Sequence, residues 1–163
     1  METIAVYWES KIRIYGLVKQ TGLSLSTIVF SPDRLAYWGR QIALLERTGR
    51  GFEMVSLQPH ASSGLQLSLL LTENDQELLW LLDKGLAGDA AASRQTKAPV
   101  DLIYLHGPHF QDRYGIAEAA IAPLRRANIA ILATGCSGTS VFLVVPENMA
   151  EMAASCLAET FVI

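Results

Sequence analysis

The strongest constraint in this sequence is an internal repeat. Ile42–Arg47 (IALLER) is echoed by Ile121–Arg126 (IAPLRR), and Leu69–Asn74 (LLLTEN) is echoed by Leu143–Asn148 (LVVPEN). The echoes keep the same order along the chain, with matching periodicity between them. Repeats of this kind are copies of one supersecondary unit. The 163 residues are therefore predicted to form two small, closely packed α+β units.

The first copy follows the order strand, helix, strand, strand, helix. Its predicted strands are Leu23–Ser31, Phe52–Leu57 and Leu65–Leu71, and its predicted helices are Leu35–Arg47 and Asp75–Lys84. Apolar residues recur in the first helix at a spacing close to 3.6, and they cover one broad face of the second helix. The turn-rich break Pro59–Gly64 joins the last two strands into a hairpin.

The second copy repeats this order. Its predicted strands are Val100–Leu105, Ile129–Ala133 and Ser140–Val145, and its predicted helices are Ile116–Arg126 and Asn148–Glu159. His106–Gly115 is predicted to be a loop, and Thr134–Thr139 a tight glycine-rich connection. Ile4–Tyr15 is expected to add a further strand, with the sheet of the second repeat as one place for it. Phe161–Ile163 is expected to be a final edge strand.

Each copy is thus β-α-β-β-α, the pattern of a ferredoxin-like fold with an antiparallel sheet and both helices on one face. The stretch Gly85–Pro99 is rich in glycine, alanine and serine and is predicted to be a linker. We therefore expect two domains, residues 1–88 with the extra N-terminal strand and residues 98–163.

Composition excludes several classes of protein. Half of the residues are hydrophobic, 18% are charged and the net charge is −3, so a large core is available and disorder is not expected. The basic residues are scattered apart from Arg125–Arg126, which excludes a nucleic-acid stripe. Apolar runs such as Val141–Val145 are far shorter than the ~20 residues of a membrane helix. We expect a cytoplasmic protein with Cys136 and Cys156 as reduced thiols.

Five segments carry a resemblance to a known family. They are Phe52–Val55 (FEMV) in the first copy and Val100–Gly107 (VDLIYLHG), Tyr114–Ala117 (YGIA), Leu124–Ile131 (LRRANIAI) and Thr139–Val145 (TSVFLVV) in the second. They resemble strands, loop ends and helix ends of the tandem ACT domains that form the regulatory region of aspartate kinases. The resemblance spans residues 20 to 163. It implies a non-catalytic regulatory module whose effectors are amino acids, with no cofactor. Because no kinase domain precedes the repeats, we expect the module to be free-standing.

The resemblance also implies where an effector lies. In that family it occupies an interface between ACT domains, between a strand-to-helix loop and a neighbouring second strand. The corresponding second-copy residues are His109, Phe110, Asp112, Tyr114, Gly115 and Ile116 in the loop, and Asn128 and Ile129 on the facing edge. Gly115 and Ile116 would offer N–H groups to a carboxylate, and Asp112 would meet an ammonium group. The alternative is that His109 and Asp112 are solvated loop residues and that Tyr114 only packs.

The first-copy loop departs from the family pattern. It lacks the usual Pro-Gly pair, and the bulky Tyr37 and Trp38 follow directly. Ser31 and Asp33 are the ligand-binding candidates here, although simple capping of the helix explains both residues as well. Tyr37 and Trp38 are expected to pack against the core or a subunit interface.

The functional hypothesis is a regulatory module that binds an amino acid at a domain or subunit interface and acts on a partner enzyme of amino-acid metabolism. Exposed sheet edges and high apolar content predict a homodimer. The alternative from another class is a structural or protein-interaction module that has lost its ligand.

A third hypothesis makes Cys136 the nucleophile of an enzyme, with His106 or His109 as its base. The order of these residues fits no catalytic signature, and an activated thiol would need a lowered pKa. The pair His106 and His109 lacks the further ligands of a metal site. We therefore expect neither catalysis nor a bound metal.

Overall fold

The computed structural model describes residues 11–46, 51–61, 63–72, 76–108 and 110–163, without the side chains of Glu46, Gln76, Glu77 and Asp112. The strands are β1 (Ile12–Arg13), β2 (Gly16–Phe30), β3 (Met54–Pro59), β4 (Leu65–Thr72), β5 (Ser93–His106), β6 (Ala133–Ser137), β7 (Ser140–Pro146) and β8 (Phe161–Val162). The helices are α1 (Leu35–Glu46), α2 (Gln76–Ala87), α3 (Ile116–Arg126) and α4 (Ala150–Leu157), and 3₁₀ turns precede α1 and α3 at Pro32–Arg34 and Phe110–Asp112. The predicted α+β class is confirmed.

Six strands form one antiparallel sheet in the order β3-β4-β2-β5-β7-β6, and β1 and β8 form a separate parallel pair. Two long strands, β2 and β5, run through the middle of the sheet. Their pairing shifts register around Gly22, whose positive φ of 71° suits a bulge. The shift divides both strands into two segments with different neighbours.

These segments define two halves of the molecule. The first half comprises β3, β4, α1, α2 and the paired segments Leu23–Phe30 of β2 and Ser93–Lys97 of β5. The second half comprises β6, β7, α3, α4 and the paired segments Gly16–Gln20 of β2 and Val100–His106 of β5. Each half therefore has a four-stranded sheet. The start of β5 forms one edge of the first sheet, and the start of β2 forms one edge of the second.

Each half buries its helices against one face of its own sheet. In the first half the buried residues on this side are Ile28, Phe30, Trp38, Leu45, Leu67, Leu69, Leu71, Leu78 and Leu82. In the second half they include Ile103, Leu105, Ile116, Leu124, Val141, Leu143, Val145 and Leu157. Alternation along each strand places these side chains together, and each fully buried aliphatic side chain contributes about 1.5–3 kcal/mol.

A third core joins the helix-free faces of the two halves. Leu25 and Leu70 of the first half belong to one buried cluster with Leu102 and Val144 of the second. Edge strands β3 and β6 lie at opposite ends of the strand order, yet the Gln58 amide (Nε2) donates a hydrogen bond of 2.8 Å to the Thr134 carbonyl. The sheet therefore curls until its two edges meet.

Several predicted boundaries were wrong. The linker Gly85–Pro99 contains the end of α2 and, from Ser93, the polar start of β5. This segment lies at the edge of the first half and is largely exposed, so its sequence lacks an apolar pattern.

The predicted connection Thr134–Thr139 contains β6, another edge strand, and the turn itself is at Gly138, where φ is 54°. The predicted strand Ile129–Ala133 starts only at Ala133. Ile129 is instead buried beside α3.

The N-terminal strand differs from the prediction in a related way. Gly16–Gln20, rather than Ile4–Tyr15, joins the sheet of the second half as an extension of β2. Within the predicted segment, Ile12–Arg13 pairs with Phe161–Val162, and residues 1–10 lie outside the described part of the chain. None of the helices in the described ranges is both long and apolar enough to cross a membrane.

Candidate functional site

The second strand-to-helix loop begins where β5 ends. A Cβ atom on Gly107 would lie 2.6 Å from Phe110 Cε1 and 2.9 Å from the Arg13 carbonyl, so only glycine fits there. Phe110 is buried, with its ring centroid 6.4 Å from that of Phe161. Phe110 therefore anchors the loop in the second core. His109 lies outside the described residues, as does the side chain of Asp112.

The end of this loop presents open space beside helix amides. Gly115 has a φ of 83° and immediately precedes α3, and no atom of the described residues lies within 4 Å of the position of an added Cβ. Its carbonyl accepts a hydrogen bond of 2.9 Å from the Ala119 amide, whereas the first amides of a helix have no partner within it. Tyr114 is fully exposed and Ile116 is buried in the core. The start of a helix favours a small anion.

The other end of α3 carries the predicted facing edge. Asn128 has a φ of 57°, its amide donates to the Arg125 carbonyl at 3.1 Å, and the Ile129 amide donates to the Leu124 carbonyl at 2.9 Å. These two bonds form a Schellman motif, which explains the Asn-Ile pair as a helix stop. A shallow groove of about 550 Å³ is lined by Ile121, Arg125, Asn128, Ile129, Ala130 and Ile131.

The loop and the groove lie at opposite ends of one helix. The 11 residues of α3 span roughly 16 Å at ~1.5 Å per residue. A small molecule beside Gly115 therefore cannot also contact Asn128 of the same chain. The two parts of the predicted site can meet on one ligand only if they come from different copies.

The first-copy candidates lie in a different setting. Ser31 and Asp33 are exposed, and Ser31 makes no side-chain capping bond to the 3₁₀ turn that follows it. Ser31 borders a polar pocket of about 550 Å³, and Asp33 does not. The pocket lies on the helix-free side of the first half and is lined by Thr27, Val29, Phe30, Ser31, His60, Ser63, Gly64, Gln66, Ala91, Ser93 and Gln95.

Side chains of the protein itself fill the space at the start of α1. Trp38 is buried, and its indole nitrogen donates a 3.0 Å hydrogen bond to the buried Asp89 carboxylate. The Arg34 Nε atom lies 3.5 Å from the same carboxylate, and its guanidinium carbon is 4.4 Å from the centre of the Tyr37 ring. The Tyr37 hydroxyl donates to the Gly85 carbonyl at 2.7 Å. The expected packing role of Tyr37 and Trp38 is confirmed.

Asp89 was missed by sequence reasoning, because it lies in the stretch predicted to be a linker. A second missed residue is Asp101, whose side chain on β5 is 1% exposed. One carboxylate oxygen (Oδ2) accepts hydrogen bonds of 3.1 Å from the amides of Met149 and Ala150 at the start of α4. Asp101 thus caps a helix nearly fifty positions away, which no local sequence signal reveals.

Cys136 lies on the exposed edge strand β6, and partial burial raises the pKa of its thiol. This direction is opposite to that of an activated nucleophile. Within the described ranges, no three histidine, cysteine, aspartate or glutamate side chains are grouped as metal ligands would be.

Comparison with known proteins establishes the fold. No protein-family model matches the chain, and no curated protein matches its sequence. The regulatory subunit of aspartate kinase from Thermus flavus is 15% identical, covers 90% of this chain and 97% of its own, and gives a TM-score of 0.77. The ligand-free regulatory subunit from Thermus thermophilus is also 15% identical, covers 91% of this chain and 99% of its own, and gives a TM-score of 0.77. Aspartate kinase from Synechocystis is 16% identical, covers 94% of this chain and 27% of its own, and gives a TM-score of 0.79.

The chain therefore has the fold of the regulatory region of aspartate kinases, and the predicted resemblance is confirmed. The match to the two Thermus proteins spans nearly the full length of each regulatory subunit. At these identities the comparison concerns the fold alone.

Proposed function

We propose that this protein is a cytoplasmic, non-catalytic regulatory module that binds an amino acid between two copies of the chain. The observation that carries the proposal is the placement of the predicted site at both ends of α3. Gly115 leaves space among the described residues beside the start of α3, and Asn128 and Ile129 line a groove at the other end. An antiparallel second copy would bring the two ends together around one ligand.

In this proposal each half is an ACT-type module. The first corresponds to residues 1–88 and the second to residues 98–163, and each sheet gains an edge strand from outside its own range. Gly16–Gln20 completes the sheet of the second module, and Ser93–Lys97 completes that of the first. The sheet orders β3-β4-β2-β5 and β6-β7-β5-β2 support this division, because each has the strand order of a ferredoxin-like unit.

The chemistry of the site supports an amino-acid ligand. A carboxylate is favoured by the unpaired amides and the positive end of α3 beside Gly115. Asp112 is the proposed partner of the ammonium group. His109 and Tyr114 are proposed to border the ligand, while the buried Phe110 and Ile116 hold the loop in place.

The proposed mechanism is linkage. A ligand held between copies stabilises the paired state by no more than its differential affinity for that state. A partner enzyme of amino-acid metabolism would respond to the change in arrangement. This part of the proposal is supported by the fold shared with regulatory subunits of aspartate kinase.

One observation favours a second candidate function, a ligand-free structural or interaction module. The first loop is filled by the cluster of Arg34, Tyr37, Trp38 and Asp89, which leaves Ser31 and Asp33 at the surface. If the second loop had also lost the ability to bind a ligand, the module would act only by binding to other protein chains.

A thermal-shift screen against the twenty amino acids distinguishes the two candidates. At ~100 times the dissociation constant, a ligand adds about 2.7 kcal/mol and raises the melting temperature by a few degrees. We expect a rise for one or two amino acids, lost in Asp112→Ala and kept in the matched first-loop variant Asp33→Ala. A flat response to all twenty would favour the ligand-free module.

A further inference from the structure

A second cleft lies on the helix-free face of the second half, away from α3. Its lining residues are Val18 and Gln20 of β2, Leu102 and Tyr104 of β5, Phe142 of β7, and Glu53 just before β3. Its volume is about 330 Å³, within the usual range for small-molecule sites. Five of the six residues belong to the second half, and Glu53 comes from the first.

Strand register builds the floor of this cleft. Tyr104 lies opposite Val18 on one side and Phe142 on the other, and Leu102 lies opposite Gln20 in the next row. The ring centroids of Tyr104 and Phe142 are 4.9 Å apart. The Tyr104 hydroxyl is 3.1 Å from Ser140 Oγ, which holds the ring in place. The floor is therefore a rigid, largely apolar and aromatic surface.

Glu53 is the one charged residue among the six that line the cleft. Its backbone amide donates to the Leu70 carbonyl at 2.9 Å, which fixes it beside the third core. Lys19, the neighbour of Val18 in sequence, points to the other face and pairs with Glu151 at 2.7 Å. No ion pair joins Glu53 to another residue in the described ranges. An aromatic floor with one unpaired carboxylate is complementary to a positive charge.

We propose that this cleft binds an organic cation, an ammonium group carried on an apolar body about the size of one ring. The ammonium group lies between Glu53 and the aromatic faces, and the body packs on Val18, Leu102 and Phe142. A free amino acid is disfavoured, because none of the lining residues is a cation that could pair with its carboxylate. The site is thus separate from the amino-acid site proposed beside α3.

Ligand binding in this cleft would couple the two halves. Glu53 precedes the edge strand β3, and the aromatic floor belongs to β5 and β7. A bound cation would add one contact across the curled sheet to those of the third core and of Gln58 with Thr134.

Methyl NMR spectra of the full chain test this site, because Val18 and Leu102 carry methyl groups in the floor of the cleft. The probes are 2-phenylethylammonium, its neutral isostere 2-phenylethanol, and phenylalanine, which adds a carboxylate. We expect saturable shifts of both residues, with the ammonium probe binding about fivefold more tightly than the alcohol or phenylalanine. Glu53→Gln should remove this preference, and Glu118→Gln, a matched change on the exposed side of α3, should keep it.

Three results would overturn the proposal. The first is an absence of shifts at Val18 and Leu102 with about 10 mM ammonium probe. The second is equal affinity for the ammonium and the alcohol in the unchanged protein. The third is a preference that survives Glu53→Gln in a variant whose remaining methyl spectrum is unchanged. None of these results bears on amino-acid binding beside α3, since they are read at Val18 and Leu102 and turn on the preference for the ammonium probe.

Discussion

At the scale of single residues, two buried aspartates connect parts of the chain that are distant in sequence. Asp89 receives the indole N–H of Trp38, and Asp101 receives two amides at the start of α4. Both carboxylates are almost fully buried. A buried carboxylate persists only where its partners replace the lost water, so each marks a contact on which its half depends.

Asp101→Ala should destabilise the protein by about 1–3 kcal/mol, because it leaves the amides of Met149 and Ala150 without their acceptor. Asp101→Asn keeps an oxygen in place and should cost less. Urea unfolding curves measure both values. The exposed Asp33→Ala serves as control, and an Asp101→Ala midpoint equal to that of the control would show that the cap contributes nothing.

Cys136 should be less reactive in the folded protein than in the unfolded chain. Partial burial raises the pKa of its thiol, so at a given pH the folded protein holds less thiolate. In a Cys156→Ser background, the rate of alkylation by iodoacetamide should rise to half its maximum at a higher pH in the folded protein than in urea. A half-maximum at lower pH in the folded protein would contradict this and revive the hypothesis of a Cys136 nucleophile.

At the scale of elements, the helices and the edge strand β3 were predicted well, whereas the start of β5 and most of β6 were missed. The predicted range of α3 is the observed one, and α1 follows the prediction over its described residues, since an amphipathic helix carries its burial pattern in its own sequence. The start of β5 and all of β6 have no such pattern, because each is partnered on one side and lies at a sheet edge. Within the candidate site, Gly115 and Asn128 were chosen from the resemblance, and their part in binding stays a prediction. The burial of Phe110 and Ile116 depends on distant residues that no local pattern reveals.

The Schellman motif that ends α3 predicts a defined order of stabilities at Asn128. A φ of 57° suits glycine, which has no Cβ, and asparagine, whose side chain can form a local hydrogen bond. Any other residue at this φ destabilises the helix end by about 1 kcal/mol. Asn128→Ala should therefore lower the free energy of unfolding by about 1 kcal/mol, and Asn128→Gly should leave it within about 0.5 kcal/mol. Thermal or urea unfolding gives both values, and equal losses for the two variants would refute the motif's role.

At the scale of the whole molecule, the exchanged segments of β2 and β5 tie the halves together. The third core and the bond from Gln58 to Thr134 add contacts on the helix-free side. The division was predicted at residues 88 to 98, but Ser93–Lys97 of that linker joins the sheet of the first half, and Gly16–Gln20 of the first predicted domain joins the sheet of the second. The sheet of the second repeat was named as a place for an N-terminal strand, but the residues Gly16–Gln20 and the contribution of Ser93–Lys97 were missed, because both segments are mostly polar or exposed.

The central claim is that an amino acid binds between two copies of this chain, and sedimentation equilibrium tests it most directly. The amino acid that raises the melting temperature would be added at increasing concentration, and the dissociation constant of the dimer would be measured at each step. The account predicts a homodimer whose dissociation constant falls as the ligand is added, because binding and pairing are reciprocally linked. A monomer that binds the amino acid one to one, with no change in its association, would contradict the account.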